Sequence, residues 1–135
     1  MTQENVRLIE QAAALQSAHD ADKLAALYLE DAVFEDIPFE AVARGHAEMK
    51  AFWRATWASM PDFTMKLVST VADDRRGGAE WIMTATHSGD FLDYPATGKS
   101  FSLRAASIAE FSNGRIIHWA DYWSLSTFKE QVGLA

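Results

Sequence analysis

The nine residues 115–123, read Arg-Ile-Ile-His-Trp-Ala-Asp-Tyr-Trp, constrain the fold more than any other stretch of the chain. They follow Asn113-Gly114, a pair typical of a tight β-hairpin turn because both residues tolerate positive φ. Alternation along the predicted strand puts Trp119, Asp121 and Trp123 on one face, and the other face is also largely apolar. Such a strand is expected to be covered on both sides, so a carboxylate among its tryptophans is a candidate functional group.

The loop length of this hairpin decides which residues lie beside Asp121. A two-residue turn would oppose Ala106 to Asp121 and bring Arg104 diagonally near it, which favours a structural ion pair. A three-residue loop at 112–114 would oppose Ala105 instead and put Arg104 on the other face. We expect the three-residue loop, because it separates polar from apolar side chains better. The preceding strand would then share the face of Asp121 through Leu103, Ala105, Ser107, Ala109 and Phe111.

Length and composition exclude several classes of protein. A chain of 135 residues is typical of one domain, so we expect a single domain over 1–135. The formal net charge of −7 argues against nucleic acid or an anionic membrane as a partner, because neutralising phosphates requires a basic face. Without cysteine there is no thiolate nucleophile and no zinc–thiolate site. No apolar run approaches the ~20 residues of a membrane span and no signal pattern is present, which predicts a cytoplasmic protein without a membrane partner.

Hydrophobic periodicity predicts helices in the first half of the chain and long strands in the second. Helices are expected at about 2–19, 20–28, 45–60 and 126–132, and strands at 32–36, 63–71, 79–90, 101–111 and 115–123. This order predicts an α+β fold, with a cone-shaped, curved antiparallel sheet wrapped around the N-terminal helices. A half-open cone of this kind has a natural cavity between the sheet and the helices.

Aromatic side chains are the candidates for the wall of that cavity. The third helix carries a bulky stripe with a period of 3.6 residues, which most simply is its buried face against the sheet. The predicted wall, expected to contact a small apolar molecule, consists of Phe34, Trp53, Trp57, Leu103, Trp119 and Trp123.

Three aspartates, Asp36, Asp90 and Asp121, are the candidate acid–base groups. A carboxyl buried among aromatic rings and close to a second carboxylate has a raised pKa, so it can exchange protons near neutral pH. For Asp36 the alternative is a strand-end residue that binds turn amides. His87 is a possible partner whose direction depends on a bulge at Gly89. No His-x-x-x-His pattern and no glycine-rich phosphate loop are present, so we expect no metal and no cofactor.

Three parts of the sequence resemble known proteins. Residues 31–36 and 44–52 resemble the first strand and third helix of the nuclear transport factor 2-like superfamily. Residues 86–91 and 95–99 are similar to its SnoaL-like polyketide cyclase branch, and 119–123 with 131–133 resemble both that branch and limonene epoxide hydrolase. The resemblance covers essentially the whole chain and implies a cone-shaped α+β barrel.

The resemblance to SnoaL-like cyclases also implies an activity. In these enzymes an acid on the last long strand acts as general acid and base in an aldol ring closure, and Asp121 lies in the matching Trp-x-Asp context. The implied protein is a cofactor-independent cyclase or isomerase for a small apolar cyclic or polyketide-like substrate. Asp121 would be the proton shuttle, assisted by Asp90, Asp36 and His87. The resemblance further implies a homodimer that pairs through the open face of the sheet.

Epoxide hydrolysis is an alternative within the same fold. Asp121 and Asp90 match the two acids of limonene epoxide hydrolase. Ser88 stands at the position of its arginine, Phe34 at that of its tyrosine and Asp36 at that of its asparagine.

Against ketosteroid isomerase, Asp36 matches the proton-shuttling base, and Ala12 stands where the oxyanion-stabilising tyrosine would be. The alternative from another class is a non-catalytic domain for binding a small ligand or for dimerisation, in which the acids are structural groups.

Overall fold

The computed structural model describes residues 2–134, with side chains from residue 3 onwards, and contains four helices and six strands within that range. In chain order these are α1 (Thr2–Ala18), α2 (Ala21–Ala25), β1 (Tyr28–Asp36), β2 (Ala41–Arg44), α3 (Gly45–Ser59), β3 (Thr64–Ala72), β4 (Arg76–Thr86), β5 (Ser100–Ser112), β6 (Arg115–Trp123) and α4 (Leu125–Val132).

The strands form one curved, unclosed sheet in the order β2-β1-β6-β5-β4-β3. All pairings are antiparallel except that of β1 with β6, which is parallel. The predicted α+β class and curved sheet are therefore confirmed. The parallel pairing lies in the interior of the sheet and brings the strand that ends at Asp36 beside the strand that carries Asp121.

The helices cover the inner face of the sheet and enclose an aromatic core. Ser17 fastens α1 to β3, since its hydroxyl accepts from the Met65 amide at 2.8 Å. On α3, Trp53 packs edge-on against Phe34 of β1 with ring centroids 5.5 Å apart. On α4, Phe128 is buried against the rings of several neighbouring elements. Among residues 2–134, no helix is long and apolar enough to cross a membrane.

The second helix is shorter than predicted. Asp20 caps it by accepting from the Lys23 amide at 3.0 Å, but the helix ends at Ala25 and Tyr28 already belongs to β1. The reason is tertiary: Tyr28 pairs with Ile116 of β6, so strand pairing overrides the helical spacing of its apolar residues. The short strand β2 was not predicted either.

The hairpin between β5 and β6 has a two-residue turn, so the predicted three-residue loop is wrong. Asn113 and Gly114 have φ of 52° and 75°, as a type I′ turn requires. The register then shifts beyond Phe111, because β6 carries one extra residue, Ile117, as a β-bulge. The bulge makes Ser107, not Ala105, the partner of Asp121. The predicted faces hold from Trp119 to Trp123, whereas before the bulge Ile116, not Ile117, is the buried residue and pairs with Phe111.

Candidate functional site

A cavity lies between the inner face of the sheet and the helices. Together with its opening to solvent, the cavity contains about 560 Å³ of space between atoms. Within that space, the centre of a water molecule can occupy about 40 Å³. That is room for roughly three water molecules. Its polar side chains are Gln16, Asp36, Thr56 and Asp121, and the rest of the wall is aromatic or aliphatic.

Asp36 and Asp121 are brought together by the parallel pairing of β1 with β6. They are register partners, and the backbone oxygen of Asp121 accepts from the Ile37 amide at 3.0 Å. Both side chains line the cavity, and each is only 9% exposed. Two carboxyl groups therefore share one largely desolvated space, the arrangement that favours proton exchange near neutral pH.

Asp121 is held by two donors that bind the same oxygen. The hydroxyl of Ser107 donates to Oδ1 at 2.6 Å, and the indole nitrogen of Trp119 donates to it at 2.7 Å. Ser107 in turn accepts from Nε1 of Trp81 at 2.9 Å. Oδ2 has no hydrogen-bond partner in the described part of the chain, so it is the oxygen free to carry a proton.

Burial raises the pKa of both carboxyls. Desolvation raises the pKa of Asp121 to about 6, and the hydrogen bonds from Ser107 and Trp119 limit the rise. The pKa of Asp36 rises to about 7, through burial first and the charge of Asp121 second. Its donors are more distant, because the Phe39 amide lies 3.3 Å and the Trp123 indole 3.4 Å away. The short hydrogen bonds to Asp121 stabilise its charged form more than the long ones stabilise that of Asp36, so Asp121 is the base of the pair and Asp36 is the acid.

Replacing Ser107 tests the electrostatic role of this network. Ser107→Ala is expected to raise the pKa of Asp121, because a hydrogen bond to a carboxylate stabilises its charged form. Carbon-13 NMR titration of the aspartate carboxyls measures the change. Ser102→Ala is the matched control, since Ser102 lies exposed on the same strand. An unchanged or lowered pKa of Asp121 in Ser107→Ala would contradict this interpretation.

Asp90 does not join the other two aspartates. Strand β4 ends at Thr86, so strand alternation does not set the direction of Asp90. The amides of Ser88 and Gly89 instead bind the carbonyl of Ser59 at the end of α3. A Cβ on Gly89 would approach Ser59 Cα to 3.1 Å, which explains the glycine. The Asp90 side chain is exposed and accepts from the Ala96 amide at 2.8 Å, so it organises a loop.

His87 is fully buried but lies behind the cavity wall. Its Nδ1 is 3.3 Å from the hydroxyl of Thr97, and its ring packs 5.7 Å from that of Phe128. Its Nε2 has no hydrogen-bond partner within the described residues. The ring therefore has no direct contact with either carboxyl of the pair.

The predicted wall residues fall into two groups. Phe34, Trp53 and Trp123 line the cavity. The other three are buried outside that lining: Trp57 stacks on His19, Trp119 binds Asp121, and Leu103 lies in the core.

Sequence reasoning missed the lining residues Phe39, Phe91 and Phe128. Phe39 lies 5.3 Å from the ring of Phe91 and 4.7 Å from that of Trp123. Phe39 and Phe91 sit in connections between strands, where hydrophobic periodicity gives no signal. Phe128 lies in the predicted C-terminal helix, and its burial on an amphipathic face was the signal available.

Across residues 3–134 no group of three or more His, Cys, Asp and Glu side chains is assembled as a metal ion would need. The pair of Asp36 and Asp121 has two such side chains, one fewer than a group of this kind.

Comparison with known proteins shows the family and the fold of this chain. The family model of the SnoaL-like polyketide cyclases matches residues 6–132. A protein from Pseudomonas putida KT2440 described as a candidate polyketide cyclase is 25% identical, with 97% of this chain and 98% of that chain covered and a TM-score of 0.82.

Two further solved structures share the fold. A candidate polyketide cyclase from Xanthomonas campestris pv. campestris is 20% identical, with 97% and 98% of the two chains covered and a TM-score of 0.86. A protein from Catenulispora acidiphila with a ketosteroid isomerase-like fold, solved with trimethylamine, is 18% identical, with 95% and 93% covered and a TM-score of 0.84.

Proposed function

We propose, from the premise that this chain belongs to the SnoaL-like polyketide cyclase family, that it is an acid–base enzyme for ring closure or isomerisation. The proposed substrate is a small, apolar, polyketide-like ketone. Asp121 is the proton shuttle and Asp36 is its partner acid. The enzyme works through these carboxyl groups without a cofactor.

The pairing of Asp36 with Asp121 carries this proposal. Two carboxyls in one cavity, with pKa values of about 7 and about 6, supply an acid and a base over the same pH range. A structural role alone would be better served by full hydrogen bonding and an ordinary pKa. The oxygen Oδ2 of Asp121, which no described donor occupies, is suited to take a proton from carbon.

In a ring closure, Asp121 removes a proton from the carbon next to a ketone, and the electron pair moves onto the ketone oxygen. The enolate carbon then bonds to a second carbonyl carbon, whose oxygen takes the proton of Asp36. Proton transfer from Asp121 to Asp36 restores the starting state. Atoms and charge balance, and water is excluded from the enolate by the apolar wall.

The size and charge of the cavity restrict the substrate. The cavity has room for roughly three water molecules, so wall side chains must move when a flat ring binds. The lining contains two carboxyls and, among the described residues, no lysine or arginine. An anionic substrate would be repelled, so a neutral ketone is favoured.

Proton exchange in heavy water tests the proposal without knowledge of the natural substrate. The protein is expected to accelerate deuterium exchange next to the carbonyl of 1-indanone, and to close linear aromatic polyketide esters to rings seen by mass spectrometry. The rate should rise with pH as Asp121 ionises and fall as Asp36 ionises, with a maximum between about 6 and about 7. Asp90→Asn is the control and is expected to keep the wild-type profile, because Asp90 is exposed in a loop.

A non-catalytic domain would give a different result. The proposal would be overturned if Asp36 and Asp121 both had ordinary low pKa values and the protein neither accelerated deuterium exchange in 1-indanone nor closed the polyketide esters to rings. Epoxide hydrolysis would appear as oxygen-18 from solvent in a diol product. No observation favours it, because its second acid, Asp90, is bound to the Ala96 amide at the surface.

A further inference from the structure

Most of the polar groups in the cavity wall are already engaged. The indole nitrogen of Trp81 donates to Ser107, and that of Trp123 donates to Asp36. The hydroxyl of Thr56 donates to the carbonyl of Phe52 at 3.0 Å, within its own helix. Two donors of the wall remain, the amide of Gln16 and the indole of Trp53.

Gln16 is a half-buried residue of α1 that lines the cavity. Its side-chain amide forms no hydrogen bond with any described residue. The next residue, Ser17, is bonded to the backbone of Met65 in both directions, at 2.8 and 3.3 Å. This turn of the helix is thereby fixed to β3, so the backbone that carries Gln16 is held beside the cavity and its amide is an unengaged donor.

Trp53 lines the same cavity from α3 and is only 1% exposed. Its Nε1 is buried and has no hydrogen-bond partner between residues 3 and 134. A buried N–H without an acceptor is destabilising, and each such group in a folded protein calls for an explanation. An acceptor oxygen on a ligand would explain it here.

We propose that Gln16 and Trp53 bind the substrate oxygen on which negative charge develops. This inference rests on the proposed function, because Asp121 must first take a proton from the neighbouring carbon. The electron pair of the broken C–H bond moves onto that oxygen, and the two N–H groups donate to it. No atom beyond the proton is transferred in this step.

The charges of the site explain why the donors are neutral. Two carboxyls with raised pKa values already occupy the cavity, and a cation beside them would pair with a carboxylate and lower its pKa. Neutral N–H groups bind an uncharged ketone weakly and its enolate more strongly, which is differential stabilisation of the transition state. The site therefore selects a neutral ligand whose enolising carbonyl oxygen faces these two donors.

Binding of a ketone and of its hydrocarbon analogue tests this role separately from catalysis. The probes are cyclohex-2-enone and cyclohexene, which share a six-membered ring and differ in the oxygen. Gln16→Leu is expected to weaken binding of the ketone about tenfold, as the loss of one hydrogen bond implies, and to leave cyclohexene unaffected. Gln11→Leu is the matched control, since Gln11 is exposed on the same helix.

Nitrogen-15 NMR of the unmodified protein gives a second readout that does not depend on a variant folding. The side-chain N–H signals of Gln16 and Trp53 should move downfield with the ketone and stay nearly in place with cyclohexene. Equal binding of the ketone by wild type and Gln16→Leu, with unmoved N–H signals, would overturn the inference. If the pH profile of exchange persists in that case, the proposed acid–base function survives on its own.

Discussion

Asp121→Asn is expected to lower the rate of ketone proton exchange by about 10²- to 10⁴-fold, the usual contribution of a positioned acid or base. Asparagine has nearly the shape of aspartate, and its oxygen can still accept from Ser107 and Trp119. It cannot take a proton, so the chemistry is lost while the packing is kept. The measurement is the initial exchange rate at the pH maximum, with thermal unfolding to verify the fold.

Asp90→Asn is the matched substitution for this experiment, because the same chemical change is made on an exposed loop. It should leave the exchange rate within about twofold of the wild type. An Asp121→Asn variant that exchanges protons as fast as the wild type would show that another group is the base.

Asp36→Asn is expected to stabilise the protein at neutral and higher pH. Burial and the charge of Asp121 raise the pKa of Asp36 from 3.8 to about 7, so ionising it costs the folded state free energy. The cost appears as pH rises through the unfolded value, grows up to about 7 and is constant above. A shift of this size corresponds to at most about 4 kcal/mol in the free energy of unfolding. Urea denaturation of both proteins at about pH 4 and about pH 8 measures it.

The opposite sign is expected for Asp62→Asn. Hydrogen bonds from the hydroxyl and the amide of Thr86 lower the pKa of this exposed carboxyl, so its contribution is present above the unfolded value of 3.8 and is lost as pH falls. The variant should therefore be less stable than the wild type at about pH 8. If Asp36→Asn is also less stable there, its carboxyl is bound as a structural ion and the proposed acid role fails.

The sequence was most informative where local rules decide the structure. Asn113-Gly114 predicts the hairpin because positive φ at both positions is a local requirement. The faces of β6 from Trp119 to Trp123 also follow from alternation, although the facing of Ile116 and the partner of Asp121 do not. A bulge at Ile117 depends on packing across the sheet, and nothing in the order of residues around it indicates an extra residue.

Ser107 is a residue whose position in the sequence could have indicated the hydrogen bond to Asp121. It was placed on the face of Asp121, and it is the one polar residue in an inner row of Leu103, Ala105, Ser107, Ala109 and Phe111. A hydroxyl in such a row needs a partner, and the nearest acceptor on the next strand is a carboxylate. Asp90 is the opposite case: alternation predicts a strand as far as residue 90, but β4 ends at Thr86 and the Asp90 side chain accepts from the Ala96 amide in a loop.

The order of strands in the sheet has a consequence for folding during synthesis on the ribosome. Strands β1 and β2 form one local hairpin, and β3 to β5 form a separate meander. Strand β6, synthesised after these five, is the only described strand that pairs with both units. Until β6 leaves the ribosome, the hairpin and the meander are connected mainly through the helices. The contact between Trp123 and Asp36 joins residues 87 positions apart, so it forms only after β6 has been synthesised. The pairing of β6 with β1 is therefore also the step that creates the carboxyl pair. Nascent chains without β6 should be open to proteases and chemically inert.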